Sequence, residues 1–465
     1  MALSVIILAA GKSTRFKSAT PKVLHTMAGR PMLQYTLDLA SALSTAQPVV
    51  VVGPETEESI REWLGTRAQL VRQEERLGTG HAALQTRGAL EGKADQVLVL
   101  YGDMPLLREA TLQKLIQCHN DTHAAITVLT VQREDPRGFG RIVRGPDNTV
   151  QAIVEDIEAS PEIAAINELN TGIYIFDADF LWAHLPLLQP SPRKGEYYLT
   201  DLIAMAAQEK QPVEGLLVED AIEGMGVNTR VDFALAIRAL HQRINEHWML
   251  EGVTLIDPAT TYIDAGVTIG RDTVIYPNTH VQGDTHIGEA SQIGPNTILQ
   301  DCTIGNRCRV TASVLEYAVM EDESNIGPFG HLRKGARLCQ GAHMGNFGEM
   351  KNSTLGPGAK MGHFSYLGDA QVGAGSNIGA GTITCNYDGK RKHPTTIEEN
   401  VFIGSDTMLV APVHIGSGSK TGAGSVVTRD IPPNSLAYGV PARVHTQAAS
   451  ETKDLEEEKD SGHKQ

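Results

Sequence analysis

Tyr262-Ile263-Asp264-Ala265-Gly266-Val267-Thr268-Ile269-Gly270-Arg271-Asp272-Thr273-Val274-Ile275 is the stretch on which the fold of half the chain turns. Ile263, Ile269 and Ile275 stand six residues apart, and the interval runs on through Val281, Ile287, Ile293 and Leu299. After a slip of register it resumes at Ile326, Leu332, Leu338, Met344 and Met350, and again at Ile397, Ile403, Leu409, Ile415 and Val427. A six-residue period predicts a parallel β-helix. Each unit supplies one short strand and one turn and points one aliphatic side chain into a shared prism. Three units close a coil that cannot bury its apolar face alone, so coils stack. The 165 positions from Ile263 to Val427 make about nine coils, which at roughly 4.8 Å per strand predicts a prism on the order of 40 Å long. Glycine at the corners relieves the steric cost of positive φ.

Moving toward the N-terminus, the period changes at 231–250. Val231, Leu235, Ile244 and Trp248 are spaced for one face of a helix, with no glycine or proline between them. Twenty such residues predict a connecting helix of roughly 30 Å. Upstream of it, apolar runs at 5–10, 48–52, 96–100, 125–131 and 172–176 alternate with helical stretches, the pattern of a mostly parallel, Rossmann-like α/β sheet. The chain therefore divides into an α/β domain at 1–229, a helical linker at 230–250, a β-helix at 251–449 and a charged, disordered tail at 450–465.

A formal net charge of -15 excludes a broad basic surface for nucleic acid or an anionic membrane. Anionic ligands must be met by local cations. The five cysteines, Cys118, Cys302, Cys308, Cys339 and Cys385, are odd in number and lack CxxC spacing, which predicts reduced thiols. The N-terminus lacks the basic region and apolar length of a signal peptide, and no run approaches a membrane span. A cytoplasmic protein is expected.

Leu8-Ala9-Ala10-Gly11-Lys12-Ser13-Thr14-Arg15 follows the first apolar strand and precedes Pro21-Lys22-Val23-Leu24-His25. Such a loop presents backbone amides and basic side chains to phosphates. It is not a P-loop, because Ile6 stands where that motif needs its first glycine, and GxGxxG is absent. These segments, with Gln73, Leu77-Gly78-Thr79-Gly80-His81-Ala82 and Tyr101-Gly102-Asp103, closely resemble the sugar-nucleotide pyrophosphorylases, in particular the bacterial N-acetylglucosamine-1-phosphate uridyltransferases. Gly138-Phe139-Gly140-Arg141-Ile142, Val154-Glu155, Asn170-Thr171-Gly172 and Gly226-Val227-Asn228 extend the likeness over the whole first domain. The resemblance implies that Leu8, Ala9, Ala10, Gly11, Gln73, Gly78 and Thr79 hold the uracil and ribose of UTP, and that Arg15 and Lys22 face phosphates. It also places Tyr101 and Gly102 in the nucleotide-sugar site, Gly140, Glu155 and Asn170 in the sugar pocket, and Asp103 and Asn228 on one Mg²⁺ ion. Ser13 and Phe16 depart from the family, which commonly has Gly and Met there.

In the second half, Gly345-Asn346-Phe347-Gly348-Glu349-Met350-Lys351, Gly362-His363-Phe364-Ser365-Tyr366-Leu367-Gly368-Asp369 and the run 377–389 are very similar to glucosamine-1-phosphate acetyltransferases, which in bacteria are fused to the uridyltransferase in this order. Acetyl transfer from a thioester to an amine needs a group that takes the amine proton, and imidazole has the pKa for it. His363 lies inside the resembling motif and is the expected general base. The resemblance implies that Arg333, Lys351, Tyr366, Asn377 and Lys392 bind the amino-sugar phosphate, and that Ala380, Asn386, Tyr387, Ser405 and Ala423 contact acetyl-CoA. The oxyanion donor is a backbone N–H near Ala380 or the Ser405 hydroxyl. Where the family shows an Arg before a Val-Pro pair, this chain reads Tyr438-Gly439-Val440-Pro441-Ala442-Arg443, and Arg443 is the candidate to meet the coenzyme phosphate. The implied products feed peptidoglycan and lipopolysaccharide precursors, and the implied assembly is a left-handed β-helix in a homotrimer. The competing readings are a nucleotidyltransferase with a non-catalytic, trimerising β-helix and a UTP-sensing scaffold. The His363, Asn386 and Tyr387 set argues against the first, and the retained Arg15, Lys22, Asp103 and Asn228 against the second.

Overall fold

A computed structural model describes residues 1–136 and 138–445; the tail expected to be disordered at 450–465, and the last positions of the β-helix segment, lie outside the described residues. The chain forms two compact units, Met1–His241 and Gln242–Gln465.

The first unit is built on nine strands: β1 (Leu3–Ala9), β2 (Val49–Val52), β3 (Gln69–Arg72), β4 (Gln96–Tyr101), β5 (Ile126–Gln132), β6 (Arg141–Arg144), β7 (Val150–Val154), β8 (Glu168–Asp177) and β9 (Val213–Leu217). The sheet runs β9-β5-β8-β4-β1-β2-β3, with the β6–β7 hairpin attached beside β8. β1 pairs in parallel with β2 and β4, and β9 with β5. β8 runs antiparallel to both β4 and β5. The expectation of a mostly parallel sheet thus meets two reversed strands, β8 and the hairpin strand β7, and the cause is local: a β-hairpin, rather than a crossover helix, stands between β5 and β8, and parallel return needs a crossover. Val49–Val52 is buried along its whole length, as is β1 apart from Leu3. Strands with both faces covered read as continuous apolar runs, which is why they were visible in the sequence.

Helix α1 (Met32–Leu43) covers one face of this sheet through Leu33, Leu37 and Ala40. The boundary between the units, His241 to Gln242, falls inside the long helix α2 (Arg230–Leu250). Ala236 and Leu240 are buried, while Ile244 and Trp248 pack on the core of the second unit. Asn245 caps the entry to that core by donating to the Pro258 and Thr261 carbonyls at 2.9 and 3.0 Å.

The second unit is a prism of three parallel sheets. Face 1 runs from Thr254–Leu255 and closes with the antiparallel pair Leu436–Gly439 and Ala442–His445. Face 2 has ten strands from Thr261–Ile263 to Val426–Val427, and face 3 has nine from Thr268–Ile269 to Val413–Ile415. All of the hexad residues named from the sequence point inward, none more than 7% exposed. Three parallel sheets built from hexapeptide units are consistent with the left-handed β-helix that the resemblance implies. The slip of register after Leu299 also has a cause. Ile304, Val310, Leu315 and Met320 still fill the core, but several corners there hold one residue fewer, so the spacing falls to five without loss of an inward side chain. Hydroxyls tie successive rungs where the core meets a corner: Thr273 donates to the Gly288 carbonyl at 2.8 Å, Ser291 to Gly305 at 3.0 Å and Ser376 to Glu398 at 2.7 Å. These bonds satisfy buried polar groups that would otherwise cost about 1–3 kcal/mol each.

Candidate functional site

β1 and β4 are parallel neighbours with Leu8 opposite Tyr101. The loops that leave their C-terminal ends therefore share one edge of the sheet, the usual ligand crevice of an open α/β fold. A cavity of about 880 Å³ opens there, lined among others by Leu8, Ala9, Ala10, Gly11, Arg15, Lys22, Gln73, Gly78, Thr79, Tyr101, Asp103 and Asn228. Its lining comes from separate stretches of sequence at 8–15, 22–23, 54–55, 73–82, 101–103, 196–198 and 228.

At its centre Lys22 donates from Nζ to Asp103 Oδ2 at 2.6 Å and to Asn228 Oδ1 at 3.5 Å, and Arg15 Nη2 donates to the same Asn228 oxygen at 3.1 Å. The Lys22 side chain is only 9% exposed. Asn228 is fixed by its neighbours, since the Val227 N–H donates to the Asp103 carbonyl at 2.9 Å and the Asn228 N–H to Asp232 at 3.1 Å. On the opposite wall Gln73 donates from Nε2 to the Gly78 carbonyl at 3.1 Å. Gly78 has φ +103°, and a Cβ there would come within 2.5 Å of the Tyr197 carbonyl, so the turn admits only glycine.

Gly102, Gly140, Glu155 and Asn170, expected in the same site, do not line this cavity. Gly102 packs beneath the loop, its N–H donating to the Leu8 carbonyl at 3.0 Å. The other three form an adjoining wall. Asn170 donates its N–H to the Gly140 carbonyl at 2.8 Å and its side-chain amide to the Tyr174 hydroxyl at 2.7 Å. Glu155 accepts from Thr200 at 3.3 Å, and burial raises its pKa. Tyr101 links wall and cavity. Burial, then Asp103 and Glu155, drive its pKa far up, so it stays a neutral hydroxyl.

Arg76 and Glu55 line the cavity but were not singled out from the sequence. Arg76 Nε donates to the Ala10 carbonyl at 2.5 Å and Nη1 to Glu55 at 3.0 Å. This contact holds the Glu55 carboxyl down at about 2. The signal was present: a cation directly before Leu77-Gly78-Thr79, inside a stretch already marked as ligand-binding. The two departures also find places. Ser13 sits at φ +53°, in the left-handed region that favours glycine. Phe16 is buried, packs edge-on against Phe233 at 5.6 Å, and carries the Arg230 guanidinium on its face at 4.3 Å.

In the second unit, strand register does what loops do in the first. On face 2, Glu349 is the rung partner of Tyr366 and Lys351 of Gly368, and Arg333 Nη1 donates to Glu349 at 2.9 Å. Arg333, Lys351 and Tyr366 thus share one outward face. Asn377 lies instead on face 1, paired in register with Lys360 and Phe402, and Lys392 lies in a hairpin bridged to Tyr387. His363 is exposed at the corner between faces 1 and 2. Met361, Ile378 and Ile403 are rung partners, so His363, Ala380 and Ser405, each two residues on, occupy the same corner of successive coils. Ala423 follows, two residues after Thr421 in the next strand of face 1. A Cβ at Gly379 would lie 2.6 Å from the Ser405 N atom, and one at Gly404 2.8 Å from that of Ala423. Glycine is therefore what lets these corners stack. Arg443 stands opposite Tyr438 on the closing antiparallel pair.

Residues 5–192 match the family described as MobA-like NTP transferase domain, and residues 266–299 and 394–429 match the family described as bacterial transferase hexapeptide (six repeats). A nucleotidyltransferase joined to a hexapeptide-repeat transferase is the class that the cavity and the corner ladder define. The chain is 46% identical over 448 residues to the bifunctional protein GlmU of Pelobacter propionicus, covering 96% of this chain and 97% of that one. It is 47% identical to that of Trichlorobacter lovleyi, over 94% and 96% of the two chains, and 45% identical to that of Thermotoga petrophila, over 94% and 96%. The chain belongs to the bifunctional GlmU family, enzymes of uridylyl and acetyl transfer.

Proposed function

We propose that the chain makes UDP-N-acetylglucosamine in two steps: acetyl transfer from acetyl-CoA to glucosamine-1-phosphate by residues 251–449, then uridylyl transfer from UTP to N-acetylglucosamine-1-phosphate by residues 1–229. The uridylyl half rests on one observation above all, the convergence of Lys22 on Asp103 and Asn228. Two uncharged or anionic oxygens already aimed at one cation suit a Mg²⁺ ion. Among the described residues no cluster of three or more His, Cys, Asp or Glu could hold a metal by itself, which fits Mg²⁺, since that ion keeps waters and takes phosphate oxygens beside one or two protein ligands. When bound by Asp103 and Asn228, the ion supplies charge neutralisation on the UTP phosphates.

The chain's own residues then position and neutralise. Gln73, Gly78 and Thr79 hold the uracil and ribose end, and Arg15 and Lys22 face the phosphates. Tyr101, Gly140, Glu155 and Asn170 orient the sugar. Its phosphate oxygen attacks the α-phosphorus of UTP in line, and pyrophosphate leaves. Positioning and electrostatics carry most of such a transfer.

At the corner ladder, His363 takes the proton from the glucosamine amine as nitrogen attacks the thioester carbonyl. The oxyanion is met by a backbone N–H near Ala380 or by the Ser405 hydroxyl, and CoA departs. Arg333, Lys351, Tyr366, Asn377 and Lys392 hold the amino-sugar phosphate. Asn386, Tyr387 and Ala423 hold the acetyl-CoA, with Arg443 toward its phosphate. Asn377 and Lys392 stand off the face that carries the other three, and a homotrimer, in which neighbouring prisms complete one another's sites, reconciles the set. No described helix is long and apolar enough to cross a membrane, and all five cysteines are free, which supports a cytoplasmic enzyme.

The test is a pair of assays on the intact protein: pyrophosphate release from UTP with N-acetylglucosamine-1-phosphate, and CoA release from acetyl-CoA with glucosamine-1-phosphate. Both are expected. Absence of CoA release would leave only a nucleotidyltransferase. Light scattering should give three chains per particle; a monomer with full acetyl transfer would refute the shared-site reading.

A further inference from the structure

We infer that Asp369 is a positioning residue for acetyl transfer, setting the direction of the hydrogen bonds at Asn386 and Tyr366 and so joining the coenzyme end of the site to the sugar end. The inference rests on the reading above that those two residues meet substrate.

Asp369 occupies a coil corner at φ +51°, a conformation Asp tolerates better than most residues. Its backbone is pinned on both sides, the N–H donating to the Lys351 carbonyl at 3.1 Å and the carbonyl accepting from Thr395 at 3.1 Å. Both carboxylate oxygens are used: Oδ2 accepts from Asn386 Nδ2 at 2.6 Å and Oδ1 from Asn352 Nδ2 at 2.7 Å. Asn386 is 7% exposed, and its amide nitrogen and the Tyr366 hydroxyl both crowd the space beside Gly368. The residue before Asp369 shows how tight this meeting is. A Cβ on Gly368 would fall 2.5 Å from the Tyr366 hydroxyl and 2.6 Å from Asn386 Nδ2.

The direction of each bond follows from chemistry. A carboxylate only accepts, so Asn386 must turn its NH₂ toward Asp369. Its second N–H then faces the Tyr366 oxygen, and its own carbonyl oxygen is left for a ligand donor. Tyr366, with an Asn386 N–H turned toward its oxygen, keeps its hydroxyl proton for a ligand acceptor such as a phosphate oxygen. Burial, then Glu349 and Asp369, raise the Tyr366 pKa, which preserves that proton. One anion thus fixes a donor toward the sugar phosphate and an acceptor toward the coenzyme.

Asp369→Asn keeps the shape and removes the fixed direction. In the full-length protein we expect KM for both glucosamine-1-phosphate and acetyl-CoA to rise, and kcat/KM for acetyl transfer to fall about tenfold or more, the scale of one charge-assisted hydrogen bond. Uridylyl transfer by the same preparation should be unchanged. The double variant Asp369→Asn with Asn386→Asp restores a donor–acceptor pair in the opposite direction; it should recover thermal stability lost by the single variant while acetyl transfer stays low. Acetyl transfer within twofold of normal in Asp369→Asn would overturn the inference, and so would activity returning with stability in the double variant. Failure of the unsubstituted protein to release CoA would instead overturn the acetyltransferase reading itself.

Discussion

The two units solve the same problem, placing a few polar groups within a few ångströms of one another, by opposite routes. In the α/β unit, Lys22, Asp103 and Asn228 are far apart in sequence and meet because parallel strands end on one edge. In the β-helix, Glu349 and Tyr366, or His363 and Ala380, are one coil apart and meet because the coil repeats. Convergence of loops yields a cavity at a sheet edge; repetition yields a ladder along a corner. The first depends on the integrity of a tertiary core, the second on register alone.

The sharpest way to break the contrast is to remove one group from each site. His363→Ala should lower acetyl transfer by about 10²–10⁴, the usual contribution of a general base, with pyrophosphate release unaffected; equal loss of both would mean that the routes are not independent. Lys22→Ala should do the converse, lowering uridylyl transfer by about 10²–10³ through lost charge stabilisation.

Stability separates the units less steeply. Leu332 is fully buried in the core of the prism, and Leu332→Ala should cost about 2–5 kcal/mol, read as a lower denaturant midpoint for the acetyltransferase activity. A subtler difference is expected with pH. His119, in helix Glu109–Thr122, is buried against Thr127 at 3.0 Å, and burial lowers its pKa to about 4. Folded His119 stays neutral where the unfolded chain takes up a proton. Its contribution is therefore intact above the unfolded value near 6.5 and is lost as pH falls from there toward about 4. His119→Gln should flatten that part of the stability profile in chemical denaturation. The smallest effect belongs to Ser13, whose φ of +53° strains a non-glycine residue. Ser13→Gly should change stability by no more than about 1 kcal/mol, with a modest change in KM for UTP as its readout.

The same contrast governs what could be read from the sequence. The prism was legible down to its inward side chains, because a period is a statement about neighbours that needs no knowledge of the rest of the chain. Near Ile304 to Met320, and again from Leu355 to Ile378, where some intervals shorten to five, the hexad vanished from view though the core did not. In the α/β unit the buried strands were visible as apolar runs, but the reversal of β8 and the half-buried β6, β7 and β9 were not, since pairing partners are set by tertiary packing. The motif residues that line the α/β cavity were named by resemblance, yet Arg76 and Glu55, which line it too, were not. Their role lies in bracing the Ala10 carbonyl, a contact between loops that no local pattern encodes. Asp369 escaped for the same reason: it stood in a quoted motif, but its bonds reach one coil up and one coil down.

The hairpin that carries Tyr387 and Lys392 leaves the prism between Ile383–Cys385 and Thr395–Ile397, yet the rungs on either side keep their register. A scaffold of this kind counts rungs, not residues. Extra chain is extruded at a corner and the inward row closes behind it, so new chemistry is acquired by lengthening a turn, with no repacking of the core. The α/β cavity has less of that freedom, because its loops are tied to one another, as Arg76 is to Ala10 and Lys22 to Asn228.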